Sequence, residues 1–182
     1  EKESAPLSHS VATKQRVPYN LQTAISAERL EEIGDAFINV PEGFSVHPRV
    51  KPILESRYRM TREGKVDWAM AELLSWGSLL QEGRDIRIAG EDSCRGTFTQ
   101  RHAIIVDRKN SNIYSPLRAI AQTHGGHFDI YNSSLSEFAG LGVEYGYSVA
   151  HTDALVCWEA QVGDFANRAQ NCCDEYVSSA VA

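Results

Sequence analysis

An α/β domain with a largely parallel sheet flanked by helices is the fold that this sequence predicts, on three observations. Short β-branched runs, such as Ile86-Arg87-Ile88-Ala89 and Ala103-Ile104-Ile105-Val106, have strand length. Segments with helical spacing, several of them capped, alternate with those runs. Turn formers, such as Gly90-Glu91-Asp92 and Gly125-Gly126, punctuate the boundaries. At 182 residues, 42% hydrophobic and 23% charged, the chain can bury a core and is not a disordered composition.

Taken in order, residues 1–25 are polar, lack apolar periodicity and hold Pro6 and Pro18, which predicts a flexible tail or linker. A connecting helical segment is expected over residues 26–66. Ser26 offers an N-cap, with Leu30, Ile33 and Phe37 at helical spacing behind it. Pro41-Glu42-Gly43 breaks that helix, and Pro48 is expected to open a second, with Val50, Ile53 and Leu54 inward. Pro52 is tolerable there only in the first turn. From residue 67 to 182 the α/β domain proper is expected. Asp67 caps a helix to Gln81 whose predicted buried face is Trp68, Ala71, Leu74, Ser78 and Leu79, with Gly83 as terminator. Strands follow over residues 86–89, 103–106, 128–131 and 154–158. Helices are expected at Glu137 and from Phe165 to Ser179.

Charge and composition exclude several functions. Lys and Arg number 18 against 24 Asp and Glu, a net charge of −6 without a basic cluster, which disfavours nucleic-acid binding. No apolar run reaches membrane-spanning length, and Glu1-Lys2-Glu3-Ser4 lacks a signal-peptide layout, so a cytoplasmic protein is expected. Cys94, Cys157, Cys172 and Cys173 form no CxxC pair and read as free thiols in a reducing compartment. His124 and His127 have HxxH spacing, but the glycines between them make a turn, so no metal site is expected there.

The stretch from Asn132 to Tyr147 carries the sharpest functional signal. It sets one carboxylate, Glu137, at the head of an apolar segment containing Gly140, Gly142 and Gly146. A carboxylate beside that much apolar surface needs a hydrogen-bonding partner. Mid-helix glycines, each costing about 0.5–1 kcal/mol against alanine, suggest close approach of another backbone, subunit or ligand. The local alternative is a capping box, Ser134-x-x-Glu137, in which the glutamate ties down its own helix.

Several ordered blocks carry a resemblance. They are the stretch from Val40 to Arg49, Asp67-Trp68-Ala69-Met70-Ala71-Glu72, the run from Gly90 to Phe98, and Gln100-Arg101-His102-Ala103. The run from Leu135 to Tyr147, Trp158-Glu159-Ala160-Gln161 and Gly163-Asp164-Phe165 complete them. Together they resemble the E1 component of 2-oxoglutarate dehydrogenase, in its bacterial multifunctional 2-oxoglutarate decarboxylase/dehydrogenase form. The resemblance covers about Leu30 to Ser179 and implies a transketolase-like pyrimidine-binding domain, incomplete at its carboxyl end.

What the resemblance implies is specific. Glu137 is the catalytic residue, bonding N1′ of the aminopyrimidine of thiamine diphosphate from a desolvated position, where it shares a proton with the ring. Leu135, Gln161 and Phe165 join Glu137 against the cofactor. Glu91 and Arg95, after the first strand, are substrate-proximal; the bland alternative for that loop is a solvated turn. Mg2+ ligands belong to a domain that this chain lacks. The substrate is 2-oxoglutarate, and the partners are a second copy and the lipoyl domain of E2. The isolated segment is expected to be inactive. The competing reading is a non-catalytic α/β module serving dimerisation or binding. Val162 stands where the family has an aromatic that packs on the pyrimidine, and Arg168 where it has a small residue.

Overall fold

The computed structural model describes residues 21–134 and 136–179, and all of the following concerns those residues. Most of the expected tail and the position of Leu135 lie outside them. The element order is α1 (Ala27–Ala36), α2 (Lys51–Glu63), α3 (Trp68–Gln81), β1 (Ile86–Gly90), β2 (Ile105–Val106), β3 (Ile113–Tyr114), α4 (Pro116–His124), β4 (Phe128–Asn132), α5 (Glu137–Ala150) and β5 (Leu155–Glu159). A 3-10 turn (Asp164–Ala166), the short α6 (Ala169–Cys172) and a wider helical turn (Cys173–Val177) follow.

Three strands form a parallel sheet in the order β4-β1-β5, with Ile88 of β1 in register with Ile130 on one side and Cys157 on the other. Alternation splits the sheet into two faces. Ile86, Ile88, Phe128 and Ile130 join Ile33, Leu73, Leu80, Leu117 and Ile120 in one core, between the sheet and the layer of α1, α3 and α4. Arg87 points the other way and meets α5 through Glu144.

Local signals account for several elements. Ser26 accepts from the Arg29 amide and Asp67 from the Met70 amide at 2.7 Å, so both side-chain caps form. Ile33 and Phe37 are buried, and Pro52 lies in the first turn of α2. Gly64 and Gly125 end α2 and α4 in the left-handed conformation that favours glycine.

Four expectations are corrected. The second helix opens at Lys51 rather than Pro48, because His47 to Val50 close a turn in which the Val50 and Lys51 amides both donate to the His47 carbonyl. The buried residues of α3 are Met70, Leu73, Leu74, Trp76, Gly77 and Leu80, while Trp68 is 93% exposed. Leu74 is common to both sets; α3 packs against both α1 and α4 and is apolar nearly all round, so periodicity does not select its inner side. Residues 103–106 do not enter the parallel sheet. The Ala103 and Ile104 amides donate to the Cys94 carbonyl, and only Ile105 and Val106 extend, pairing antiparallel with β3. The expected helix from Phe165 to Ser179 is broken at Asn167, whose extended ψ of −134° separates the 3-10 turn from α6.

The glycine-rich helix α5 also differs from a tightly packed one. Glu144 is its one buried residue, and a Cβ placed at Gly142 or Gly146 would meet nothing within 4 Å. Only Gly140 is pressed, against the Trp158 indole nitrogen at 2.9 Å.

Candidate active site

The carboxyl ends of β1, β4 and β5 converge on one edge of the sheet, the usual ligand-binding edge of such folds. A cleft of about 750 Å3 opens there, lined by Glu91, Arg95, Thr97, Asn132, Ile104 and Gln161 among others. Three expected site residues, Glu91, Arg95 and Gln161, thus share one cavity.

Each wall has a local reason for its place. Gly90 ends β1 where a Cβ would lie 2.6 Å from the Ser93 hydroxyl and 2.7 Å from the Glu159 carbonyl oxygen, so only glycine lets the loop turn back across β5. Asn132, at the end of β4, accepts from the Cys94 amide through its side-chain oxygen at 2.9 Å. Arg95 pairs with the Asp92 carboxylate, which spends part of its charge within the loop. Thr97 and Gln161 close the cleft from opposite sides, with hydroxyl-to-amide contacts of 3.0 and 2.8 Å. The Gln161 backbone is held in turn, because its amide donates to the buried Asp164 carboxylate. Burial pushes the Cys94 thiol above its ordinary pKa, so it faces the cleft as a thiol rather than a nucleophilic thiolate.

Glu137 does not line this cleft. It is the first residue of α5, half-buried, and Ser136 rather than Ser134 occupies the N-cap position. The capping box therefore does not form, because the chain stays extended through Ser136 (φ −156°, ψ 99°) before the helix starts. Among the described residues the Glu137 carboxylate has no hydrogen-bond partner, and it sits where the positive end of the helix dipole favours an anion. The backbone of Phe165 lies in the 3-10 turn after Gln161. Val162, next to Gln161, is 99% exposed, and Arg168 is exposed. His124 and His127 turn to separate carboxylates, Glu32 and Asp85.

Several residues that shape the site were not anticipated. Arg101 and Arg57 are buried behind the Gly96–His102 loop, and Asp164 fixes Gln161. The available signal was a cation next to the apolar run Ala103-Ile104-Ile105, since a buried arginine needs assigned acceptors.

Comparison with known proteins agrees with this geometry. Residues 64–181 match the profile described as transketolase, pyrimidine binding domain. Over its full length the chain is 52% identical to a multifunctional 2-oxoglutarate metabolism enzyme from Mycobacterium sp. (strain JLS). It is likewise 52% identical to a 2-oxoglutarate dehydrogenase E1/E2 component from Corynebacterium glutamicum. In both cases the chain spans 15% of the relative's length.

Proposed function

The chain belongs to the transketolase pyrimidine-binding domain family, and from that premise we propose that it is the pyrimidine-binding part of a thiamine-diphosphate-dependent 2-oxoglutarate dehydrogenase E1. The observation that carries the proposal is the cleft shared by Glu91, Arg95, Thr97 and Gln161 at the carboxyl edge of the sheet. The full-length similarity to the two 2-oxoglutarate enzymes supports it.

In this reading the donors for an aminopyrimidine come from two places, the cleft and the head of α5 outside it. Such a ring needs a carboxyl partner for a ring nitrogen, amide or hydroxyl partners at its edge and apolar contact on its faces. Glu137 offers the first, Gln161 and Thr97 the second, and Leu135 and Phe165 belong with the ring in this assignment. Once bound, thiamine diphosphate supplies the nucleophile and the electron sink for decarboxylation of a 2-oxo acid.

The work of this chain's own residues is then positional and protonic. Glu137 holds a proton in common with N1′ of the pyrimidine, and the residues around it exclude water once the site is complete. Arg95 and Glu91 face the 2-oxoglutarate side, with Asp92 restraining Arg95 so that its charge orients an acid without trapping it. Mg2+ is held by residues outside this chain, and the acyl product passes to a lipoyl-bearing E2, in the cytoplasm. By itself the segment is inactive.

A second copy of the chain completes the surroundings of Glu137. Helix α5 leaves Phe138, Val143 and Val149 exposed, and the open sides of Gly142 and Gly146 allow another backbone to approach closely. A homodimer across α5 would bury the carboxylate that the single chain leaves half-open.

Grafting this segment into the Corynebacterium glutamicum relative tests the assignment. Glu137→Gln keeps a hydrogen-bond acceptor but cannot share a proton. Hydrogen–deuterium exchange at C2 of bound thiamine diphosphate should slow by roughly 10²–10⁴-fold. An unchanged exchange rate would remove Glu137 from the catalytic machinery.

A further inference from the structure

One guanidinium joins three segments that border the cleft. Arg101 is 3% exposed, and its Nε and one Nη donate to both carboxyl oxygens of Glu72 on α3, at 2.7 and 3.1 Å. The other Nη donates to the Ser93 carbonyl at 2.8 Å, in the middle of the loop that carries Glu91 and Arg95. The Nη that meets Glu72 also bonds the carboxylate of Glu159, two positions before Gln161. Beneath the group lies the Trp76 ring, 5.2 Å from the guanidinium carbon. Burial pulls against its charge, but Glu72 and Glu159 together hold its pKa above the ordinary arginine value.

The main chain at Arg101 is gripped from behind. Arg57 of α2 is buried, and one of its Nη atoms donates to the carbonyls of Gln100, at 2.7 Å, and of Arg101. On either side of these grips the loop holds a non-glycine residue in the left-handed region, Thr99 (φ 59°) before them and His102 (φ 45°) after them. Such backbone persists only where its surroundings over-determine it, and strain of this kind clusters at functional sites. A planar fork with five donors fixes direction as well as distance, which an ammonium cannot do.

We propose that Arg101 is a positioning residue for the cleft: by holding Ser93 and Glu159 at once, it sets the Glu91–Arg95 loop and the Gln161 turn relative to each other. It touches no ligand. Its effect passes through the Thr97–Gln161 contact, which bridges those two segments. This inference rests on the pyrimidine-binding reading. A stability role alone explains it poorly, because two carboxylates on one buried cation are no more stabilising than well-packed apolar side chains would be.

The test uses the segment grafted into the Corynebacterium glutamicum relative, with thiamine diphosphate as the probe. Affinity is read by tryptophan fluorescence and melting temperature by calorimetry. Arg101→Lys and Glu159→Gln each weaken the tie between the two walls, the first by losing the planar fork and the second by leaving an uncharged amide oxygen in place of the carboxylate, and each should weaken cofactor binding tenfold or more. Glu72→Gln releases only the α3 side. It should lower the melting temperature comparably while weakening binding less than twofold. Glu159→Gln carries the comparison alone if Arg101→Lys does not accumulate as folded protein. Affinity losses that simply follow the melting temperature across the variants, or an Arg101→Lys protein that binds normally, would overturn the positioning role. Failure of the unsubstituted graft to bind thiamine diphosphate would overturn both this inference and the functional reading beneath it.

Discussion

The Arg87 guanidinium lies against the Glu144 carboxylate in a two-point contact, 2.7 and 3.0 Å, and is the polar tie between α5 and the central strand. Tyr131 and Tyr147 flank it, their ring centroids 5.0 and 4.8 Å from the guanidinium carbon. Glu144 is the one buried residue of α5 among those described, and this pair adds to the packing of the helix on β5 and α6.

Glu144→Leu should therefore destabilise the fold, by less than the about 3–5 kcal/mol usual for a fully buried pair that loses one partner, because the Arg87 side chain keeps 22% of its surface exposed. Replacing both, as Arg87→Met with Glu144→Leu, should recover most of that loss. Urea unfolding of the two singles and the double variant closes the cycle. Additive losses would show that the two side chains act independently.

His102 makes stability depend on pH. Burial, then the charges of Arg57 and Arg95, hold its pKa below the ordinary imidazole value, with a bond to the Thr99 backbone opposing them. The unfolded chain thus binds a proton that the folded one resists. Stability should fall as pH drops below about 6.5, toward the lower folded value, by at most ~1.4 kcal/mol per pH unit from this group. His102→Asn tolerates the positive φ and cannot titrate. Its unfolding midpoints at pH 7 and pH 5 should lie closer together than those of the parent. Equal pH slopes in the two proteins would remove His102 as the source of the dependence.

Helix caps were legible in the sequence because they are local. Ser26 and Asp67 bond amides three residues away, a relation that spacing alone displays. The strand at Ile86 was legible because its apolar residues all serve one buried element. Local spacing did not reveal the inner face of α3, whose ring of apolar residues takes its orientation from α1 and α4. Nor did it reveal the fate of Ile105 and Val106, which a turn partner rather than their own composition decides. Of the candidate site, Glu91, Arg95 and Gln161 were readable through the ordered blocks around them. Arg57 had no local signal and Arg101 only the apolar run after it, since their acceptors lie on other segments.

Val162→Phe should tighten thiamine diphosphate binding in the grafted protein by roughly two- to tenfold, the worth of a regained ring contact of about 0.5–1.5 kcal/mol. Its side chain is 99% exposed, so the larger ring displaces nothing in this chain. Isothermal titration reads the change. Unaltered affinity would place position 162 away from the cofactor.

Val143 stands 60% exposed on α5, so an aspartate there is solvated in a single chain and buried without a partner in a dimer across that helix. Val143→Asp should raise the dimer dissociation constant at least a hundredfold, while circular dichroism stays the same. Sedimentation velocity measures this, and unchanged association would direct the search to another face.

The central place of β1 also has a bearing on biosynthesis. Its neighbours begin at Phe128 and Leu155, so β1, made before the other two described strands of this sheet, lacks both of these partners until much later sequence leaves the ribosome. The helices that precede it can cover one of its faces while it waits, as Ile33 and Leu73 do in the finished core. Its other face and its hydrogen-bonding edges have no such cover. Pairing over this separation is slow and leaves the nascent chain open to aggregation. Synthesis that stalls between β1 and β4 should therefore draw more chaperone than a stall after β5.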